Sequence, residues 1–267
     1  MSGFSPEWLA LRERYDVQAR NPAVLDAVAL AFRAEAAVAI VDLACGTGAT
    51  VRAIAPRLPQ RQSWRLADND LGLLARAGAL GAPPHRSVAA RAVDLARDLE
   101  LALEGPLDLI TCSALLDLVS GEWLDRLVVE AAARRLPVYA ALSYDGQAAL
   151  DPSDPSDADL LAAVNRHQRR NKGFGPALGP AAAARAIERF EGLSYSIVQG
   201  RSDWVFEPDD GAIQNDILAG WAAAARELDE LPAERIAAWL ARRRELVADG
   251  GARMRVGHVD FFARPAR

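Results

Sequence analysis

Apolar positions along this chain follow two rhythms. Short apolar or β-branched runs at 37–43, 63–67, 91–93, 107–112 and 138–143 read as strands buried on both faces. Between them, at 49–57, 70–80, 96–103 and 121–135, the pattern is helical. Strands and helices alternating at this pitch predict a parallel sheet covered on both faces, joined by right-handed crossovers. Ahead of this core, Ser5-Pro6-Glu7 carries a capping serine and a first-turn proline, and predicts a helix over 8–19. Asn21-Pro22 opens a second helix to about residue 33. Beyond the core, Asp151-Pro152-Ser153-Asp154-Pro155-Ser156 is a turn-rich break. Helices at 157–169 and 180–190 follow it, and late strands at 195–206 and 253–262 flank helices at 211–228 and 232–247. No solenoid-length repeat interrupts this order.

Composition changes the picture little. With 267 residues and 51% apolar content, the chain has room for one large core, or for a domain with a lid. A net charge of −5 lacks the global basic footprint that nucleic-acid binding usually shows, although it leaves room for a local patch. The two cysteines, Cys45 and Cys112, end apolar runs and have no metal-ligand or disulfide spacing, so free buried thiols are expected and no metal site. No stretch reaches membrane-spanning length, and Met1 to Glu7 lacks the regions of a signal peptide, which predicts a cytoplasmic protein.

The most informative stretch closes the first predicted strand: Asp42-Leu43-Ala44-Cys45-Gly46-Thr47-Gly48. A strand that runs through a glycine turn into a helix makes a nucleotide-type pocket, because glycine takes backbone angles other residues resist and admits a ligand close to the main chain. The dinucleotide fingerprint needs a third glycine where Val51 stands, so the pyrophosphate reading fails. An acid, a small residue and Gly-x-Gly directly after a strand resemble motif I of the class I S-adenosylmethionine-dependent methyltransferases. The resemblance covers about 38–144 by motif and the C-terminal strands by layout only. It implies a Rossmann-like, doubly wound sheet of seven strands, mostly parallel with the last antiparallel. It also implies a domain over 37–267, an N-terminal helical lid over 1–36 and a helical substrate-side insertion over 150–192.

The same resemblance assigns residues to the cofactor, S-adenosylmethionine, and to its product, S-adenosylhomocysteine. Asp42, Ala44, Gly46 and Gly48 form the loop around the methionine part. Asp68, after the second strand, stands where an acid accepts both ribose hydroxyls, and Asn69 lines the adenine side. Asp94 would accept from the adenine amino group, with the Leu95 amide on a ring nitrogen. Asp94 is equally able to cap the next helix. Ser113, after the fourth strand, lies beside the methionine portion. Residues 111–118 lack the Asn/Asp-Pro-Pro-aromatic signature of base-methylating enzymes, which argues against a nucleic-acid base as acceptor. Asp117, in the same stretch, reads either as part of that site or as a local cap or pair. Tyr144 and Asp145, after the fifth strand, would face the acceptor, although Asp145-Gly146 is also a turn pair.

Three further features remain. Arg12, Asp16 and Arg20 share one helix face and read either as an exposed ion-pair ladder or as a lid whose Arg20 pairs with the methionine carboxylate. The run from Asn165 to Pro176 packs Arg166, His167, Arg169, Arg170 and Lys172 ahead of glycines around Phe174. It reads either as a solvated face or as an acceptor site, with Arg169 and Arg170 holding a polar or anionic molecule and His167 as general base. Tyr144 and His167 are the candidate catalytic groups. Trp204 reads as a wall of the acceptor site or as core; His258 reads as a satisfied core histidine, and His85 as exposed. The leading expectation is O- or N-methylation of a small polar or anionic molecule by a monomer or homodimer. A nucleic-acid or protein methyltransferase using the basic run, and a cofactor-binding protein without transferase activity, are the alternatives.

Overall fold

The computed structural model describes residues 5–79 and 83–266; residues 1–4 of the expected lid and Leu80, the expected end of a helix, lie outside them. Two capped helices lead. Ser5 Oγ accepts from the Trp8 amide at 3.1 Å at the head of α1 (Pro6–Ala19), and Asn21 Oδ1 accepts from the Val24 amide at 3.2 Å at the head of α2 (Pro22–Phe32). The core follows as β1 (Ala37–Leu43), α3 (Ala49–Ile54), β2 (Arg61–Asp68), α4 (Leu71–Gly78), β3 (Arg86–Ala92), α5 (Leu99–Ala102), β4 (Leu109–Ser113), α6 (Gly121–Ala133) and β5 (Val138–Asp151). The chain ends with α7 (Asp157–His167), α8 (Ala182–Gly192), β6 (Tyr195–Arg201), β7 (Trp204–Phe206), α9 (Gly211–Leu228), α10 (Ala233–Ala248) and β8 (Arg253–Pro265).

All the strands join one sheet in the order β3-β2-β1-β4-β5-β8-β6, with β7 also paired to β8. β1 to β5 run parallel, and β8 runs antiparallel to β5, β6 and β7. Side-chain alternation divides the core. Val41, Leu43, Ile110, Cys112, Val138 and Ala140 pack with α6 and α8, while Val38, Ile40, Trp64, Leu66 and Tyr139 pack with α2 and α3. A third apolar cluster joins Tyr15 of α1 and Leu160 of α7 to α9, α10, β7 and β8. The 150–192 segment therefore serves two places: α7 packs in this third cluster, and α8 covers the sheet through Ala186 and Phe190.

Three expected elements differ. The late strand over 195–206 breaks at Ser202-Asp203, where Asp203 accepts from Arg201 and Arg255, so it becomes β6 and β7 and the sheet has eight strands among the described residues. β5 continues past residue 143 because β8 offers it a partner as far as Asp151↔Arg253. Asp145-Gly146 is consequently absorbed as an irregularity within the paired strand, with Gly146 at φ 83°, and does not turn the chain back. The helix expected at 96–103 shortens to α5, because Asp94 holds the preceding turn by accepting from the Ala96 amide. Both cysteines are free and buried. Among the described residues no helix is long and apolar enough to cross a membrane.

The α1–α2 corner is bolted to the far edge of the sheet. Asn21 donates from its main chain to Asp260 at 3.0 Å and from Nδ2 to the Arg201 carbonyl at 3.0 Å. A Cβ on Gly200 would stand 2.2 Å from Asn21 Nδ2. Gly200→Ala and Asn21→Ala are each expected to lower stability by about 1 kcal/mol or more, the scale of a lost N-cap. The double variant should lose less than the sum in urea unfolding, since both changes disturb one contact; strictly additive losses would contradict the coupling.

Candidate functional site

The loop after β1 is built from left-handed backbone. Ala44 has φ 53°, Gly46 φ 53° and Gly48 φ 81°. The Cys45 amide extends the sheet to the Ala67 carbonyl at 3.1 Å, and Gly48 then caps α3. Asp68, at the end of β2, anchors this loop. Its Oδ2 accepts from the Gly46 amide at 2.9 Å and its Oδ1 from the Asp70 amide at 3.0 Å. Each oxygen keeps a lone pair for a further donor.

A cavity of about 430 Å³ opens here, where β1 and β4 send the chain to opposite sides of the sheet. Ala44, Gly46 and Thr50 line one wall, Asp68, Asn69 and Leu73 another, and Val93, Leu95, Ser113 and Phe174 close it. Leu9, Arg12, Asp16 and Arg20 come over it from α1 and its end. Arg20 is 4% exposed; its Nη1 donates to Tyr139 Oη and its Nη2 to Ser113 Oγ, both at 2.9 Å. Its Nε is buried without a partner. Behind the loop, Asp42 is fully buried, with Oδ1 accepting from Thr111 Oγ1 at 2.8 Å and Oδ2 unpartnered. Burial pushes its carboxyl up to about 7, against the opposing pull of the Thr111 hydrogen bond and the Arg20 charge.

Arg20, Ala44, Gly46, Asp68, Asn69, Leu95 and Ser113 thus share this cavity. Asp42, Gly48 and Asp94 do not line it. Asp42 sits one layer beneath, and Gly48 is spent on the turn into α3. Asp94 is exposed, because the chain turns there and buries Val93 and Leu95 on either side of it. Its Oδ1 accepts from the Ala96 amide at 3.0 Å, so the capping role is the one the geometry realises.

A second cavity, about 530 Å³, meets the first at Arg12, Ala114 and Leu118. Trp8, Trp204, Trp221, Tyr144 and His258 give it aromatic walls, and Ile217, Gly220 and Ala224 of α9 close one side. Tyr144 Oη donates to Asn165 Oδ1 at 2.8 Å, and burial holds its phenol well above the usual range, so it serves as a hydrogen-bonding group and not as a base at neutral pH. His258 is pushed down to about 3 by burial and stays neutral, with Nδ1 at 3.1 Å from the Val256 carbonyl. Trp204 Nε1 donates to Asp16 at 3.0 Å, and Asp16 also holds Arg12 at 2.9 and 3.2 Å. The ladder expected along α1 is therefore a buried Arg12–Asp16 pair, and Arg20 leaves it for the sheet.

The basic run divides. His167 and Lys172 line the second cavity, with His167 Nε2 2.8 Å from Glu227 and Nδ1 3.1 Å from Lys172 Nζ. Arg169 and Arg170 are exposed and line neither cavity. Arg170 donates to the Glu227 carbonyl at 3.2 Å, and Arg166 pairs with Glu230 at 2.5 Å. Asp145 also lies outside both cavities, because strand alternation that turns Tyr144 inward sends Asp145 toward Gly257. Phe174 lines the first cavity, edge-on to Trp123 at 5.5 Å, and not the second. Trp8 and Trp221 were not expected at a site. No local motif marks them, since distant helices bring the tryptophans together. Among the described residues no cluster could hold a metal ion.

No protein-family model and no curated protein matches the chain. Solved structures do. YcgJ from Bacillus subtilis matches with a TM-score of 0.51 at 15% identity, over 91% of this chain and 98% of that one. A candidate methyltransferase from Bacillus halodurans matches at 0.50 and 14%, over 91% and 99%. A cyclopropane-fatty-acyl-phospholipid synthase-like protein from Lactobacillus casei matches at 0.51 and 15%, over 98% and 94%. This chain has the class I methyltransferase fold. Within it, β8 takes the place of the expected last, antiparallel strand.

In this methyltransferase fold the buried Asp42 gives a pH signature. Its carboxyl holds a proton to about 7 when folded, against 3.8 in the reference state, so the contribution of Asp42 to stability is full at low pH and is lost as pH rises through that window. Asp42→Asn should flatten this decline in denaturation curves taken from pH 5 to 8, and an unchanged slope would place the charge elsewhere.

Proposed function

We propose that the protein transfers a methyl group from S-adenosylmethionine to a small-molecule acceptor. The observation that carries this reading is the pair of joined cavities at the β1/β4 switch point. One offers hydrogen-bonding groups at its rim, and the other is aromatic and meets it only at Arg12, Ala114 and Leu118. The first suits the nucleoside. Arg20, with its unpartnered Nε, and Ser113 would hold the amino-acid carboxylate, where the rigid guanidinium favours a planar anion. The free lone pairs of Asp68 would accept the ribose hydroxyls. Asn69, Leu73, Val93 and Leu95 would enclose the base. The left-handed loop at Gly46 leaves the main chain open to close approach.

When bound, the sulfonium supplies an already electrophilic methyl carbon, and the protein's task is position and electrostatics. Arg12, locked by Asp16, and the apolar Ala114 and Leu118 would shape the passage between donor and acceptor. α1 would act as the lid, since Leu9, Arg12 and Asp16 reach the first cavity and Trp8 and Arg12 the second. His167, held by Glu227, is the candidate base for a hydroxyl acceptor once Lys172 releases its Nδ1, with Tyr144, whose proton goes to Asn165, as an orienting acceptor. A small molecule is favoured over nucleic acid because Arg166 and Arg170 are engaged by Glu230 and Glu227, which removes the polyanion footprint of the basic run.

Calorimetry with S-adenosylhomocysteine tests the reading. The wild type should bind, and Asp68→Ala and Arg20→Ala should each weaken binding about ten- to a hundredfold, the scale of lost charged hydrogen bonds. Absence of binding by the wild type would overturn the reading. Unaltered affinity in either variant would overturn that residue's role.

A further inference from the structure

The second cavity holds a buried carboxylate with one oxygen left unpartnered. Asp117 follows β4 in a single 3-10 turn, lines this cavity, and is 6% exposed. Its Oδ1 has no hydrogen-bond partner, and it makes no ion pair among the described residues. The neighbouring cations are already engaged: Arg12 by Asp16 and Lys172 by the His167 ring. Burial pushes the Asp117 carboxyl up to about 6, against the pull of the Asp117 and Tyr144 main-chain amides and of the Arg12 and Lys172 charges, so it is ionised at pH 7.5 with Oδ1 still open to a donor. A buried carboxylate oxygen without a direct donor is costly unless a donor arrives with a ligand.

The rest of the cavity fits the same kind of guest. Asp216 adds a second carboxylate at its exposed edge, the neutral His258 adds no positive charge, and the two lining cations, Arg12 and Lys172, are turned to Asp16 and to the His167 ring. Trp8 stands edge-on to Trp204 at 6.4 Å, and Trp221 and Tyr144 extend the aromatic lining. Aromatic faces beside an acid attract an organic ammonium and repel a carboxylate. This changes the expectation of an anionic acceptor, because Arg169 and Arg170, on which that expectation rested, lie outside the cavity.

We propose that the second cavity binds an amine carried on an aromatic or apolar body, with Asp117 as the counter-charge for its ammonium group. The inference names the acceptor class for the proposed transfer and rests on that reading only in calling the guest an acceptor. Asp117 also adjoins Leu118, one of the residues shared by the two cavities, so the amine would be held near their junction.

The test compares three probes of one shape by tryptophan quenching and calorimetry at pH 7.5: tryptamine, tryptophol and indole-3-propionate. The wild type should bind tryptamine at least tenfold more tightly than the alcohol or the acid. Asp117→Asn should abolish that preference while S-adenosylhomocysteine binding and thermal stability are retained. Lys172→Met should leave tryptamine binding unchanged or tighter. Equal binding of the three probes by the wild type, a preference for the acid, or a preference that survives Asp117→Asn overturns the proposal. The wild-type comparison decides it even where the Asp117 variant does not fold. Tryptamine preference without nucleoside binding would support this inference and sink the transfer reading; nucleoside binding without amine preference does the reverse.

Discussion

The buried guanidinium of Arg20 is the interaction on which the site depends. It enters from the corner between α1 and α2 and ends on Tyr139 of β5 and Ser113 of β4, both at 2.9 Å. The next residue, Asn21, continues the fastening to Asp260 and to the Arg201 carbonyl. Asp260 in turn accepts from the Leu142 amide at 2.8 Å, at the left-handed bend of β5. A chain of charge-assisted bonds therefore ties the N-terminal helices to three strands of the sheet. Such bonds are strong because the groups are shielded from water and have few competing partners. They fix the C-terminal end of α1 over the first cavity, while Tyr15 and Asp16 hold the helix against β7 and its flanks.

That fastening makes one helix serve two sites. α1 shows Leu9, Arg12 and Asp16 to the first cavity, and Trp8 and Arg12 to the second. Arg12 stacks over the Trp204 ring with its guanidinium carbon 4.9 Å from the centroid, while Asp16 bonds both Arg12 and the Trp204 indole. The partition between the cavities is thus a satisfied polar knot with an aromatic backing. A partition of this kind keeps its shape, because each buried polar group loses a partner if it moves.

The two cavities differ in electrostatic character. Around the first, Arg20 and the main-chain amides of the β1 loop face Asp68 and Asn69, a mixed polar rim suited to a zwitterionic nucleoside. In the second, Asp117 and Asp216 stand with the indoles, the lining cations Arg12 and Lys172 are turned to Asp16 and to the His167 ring, and Arg166 and Arg170 are held outside by Glu230 and Glu227. Placement of charge, more than its total, sets what each cavity accepts. The net charge of −5 carries none of this information.

The doubly wound sheet, its order of elements and the loop from Asp42 to Gly48 were legible in the sequence, because strand and helix periodicity and glycine at left-handed positions are local properties. Asp68, Asn69, Leu95 and Ser113 were legible for the same reason: each directly follows a strand or its turn, and parallel strands deliver such residues to one edge. Tertiary structure alone decided the rest. Asp94 was lost to a cap, and Asp42 went beneath the loop. Arg169 and Arg170 turned outward to solvent and to α9, and Trp8, Trp204 and Trp221 met across more than two hundred residues of chain. Asp117, open to a site role or a local cap by sequence, came to the wall of the second cavity with one oxygen unpartnered. Local spacing determines which backbone forms; which side chains face one another, and which charges remain unanswered, is settled only when distant segments pack.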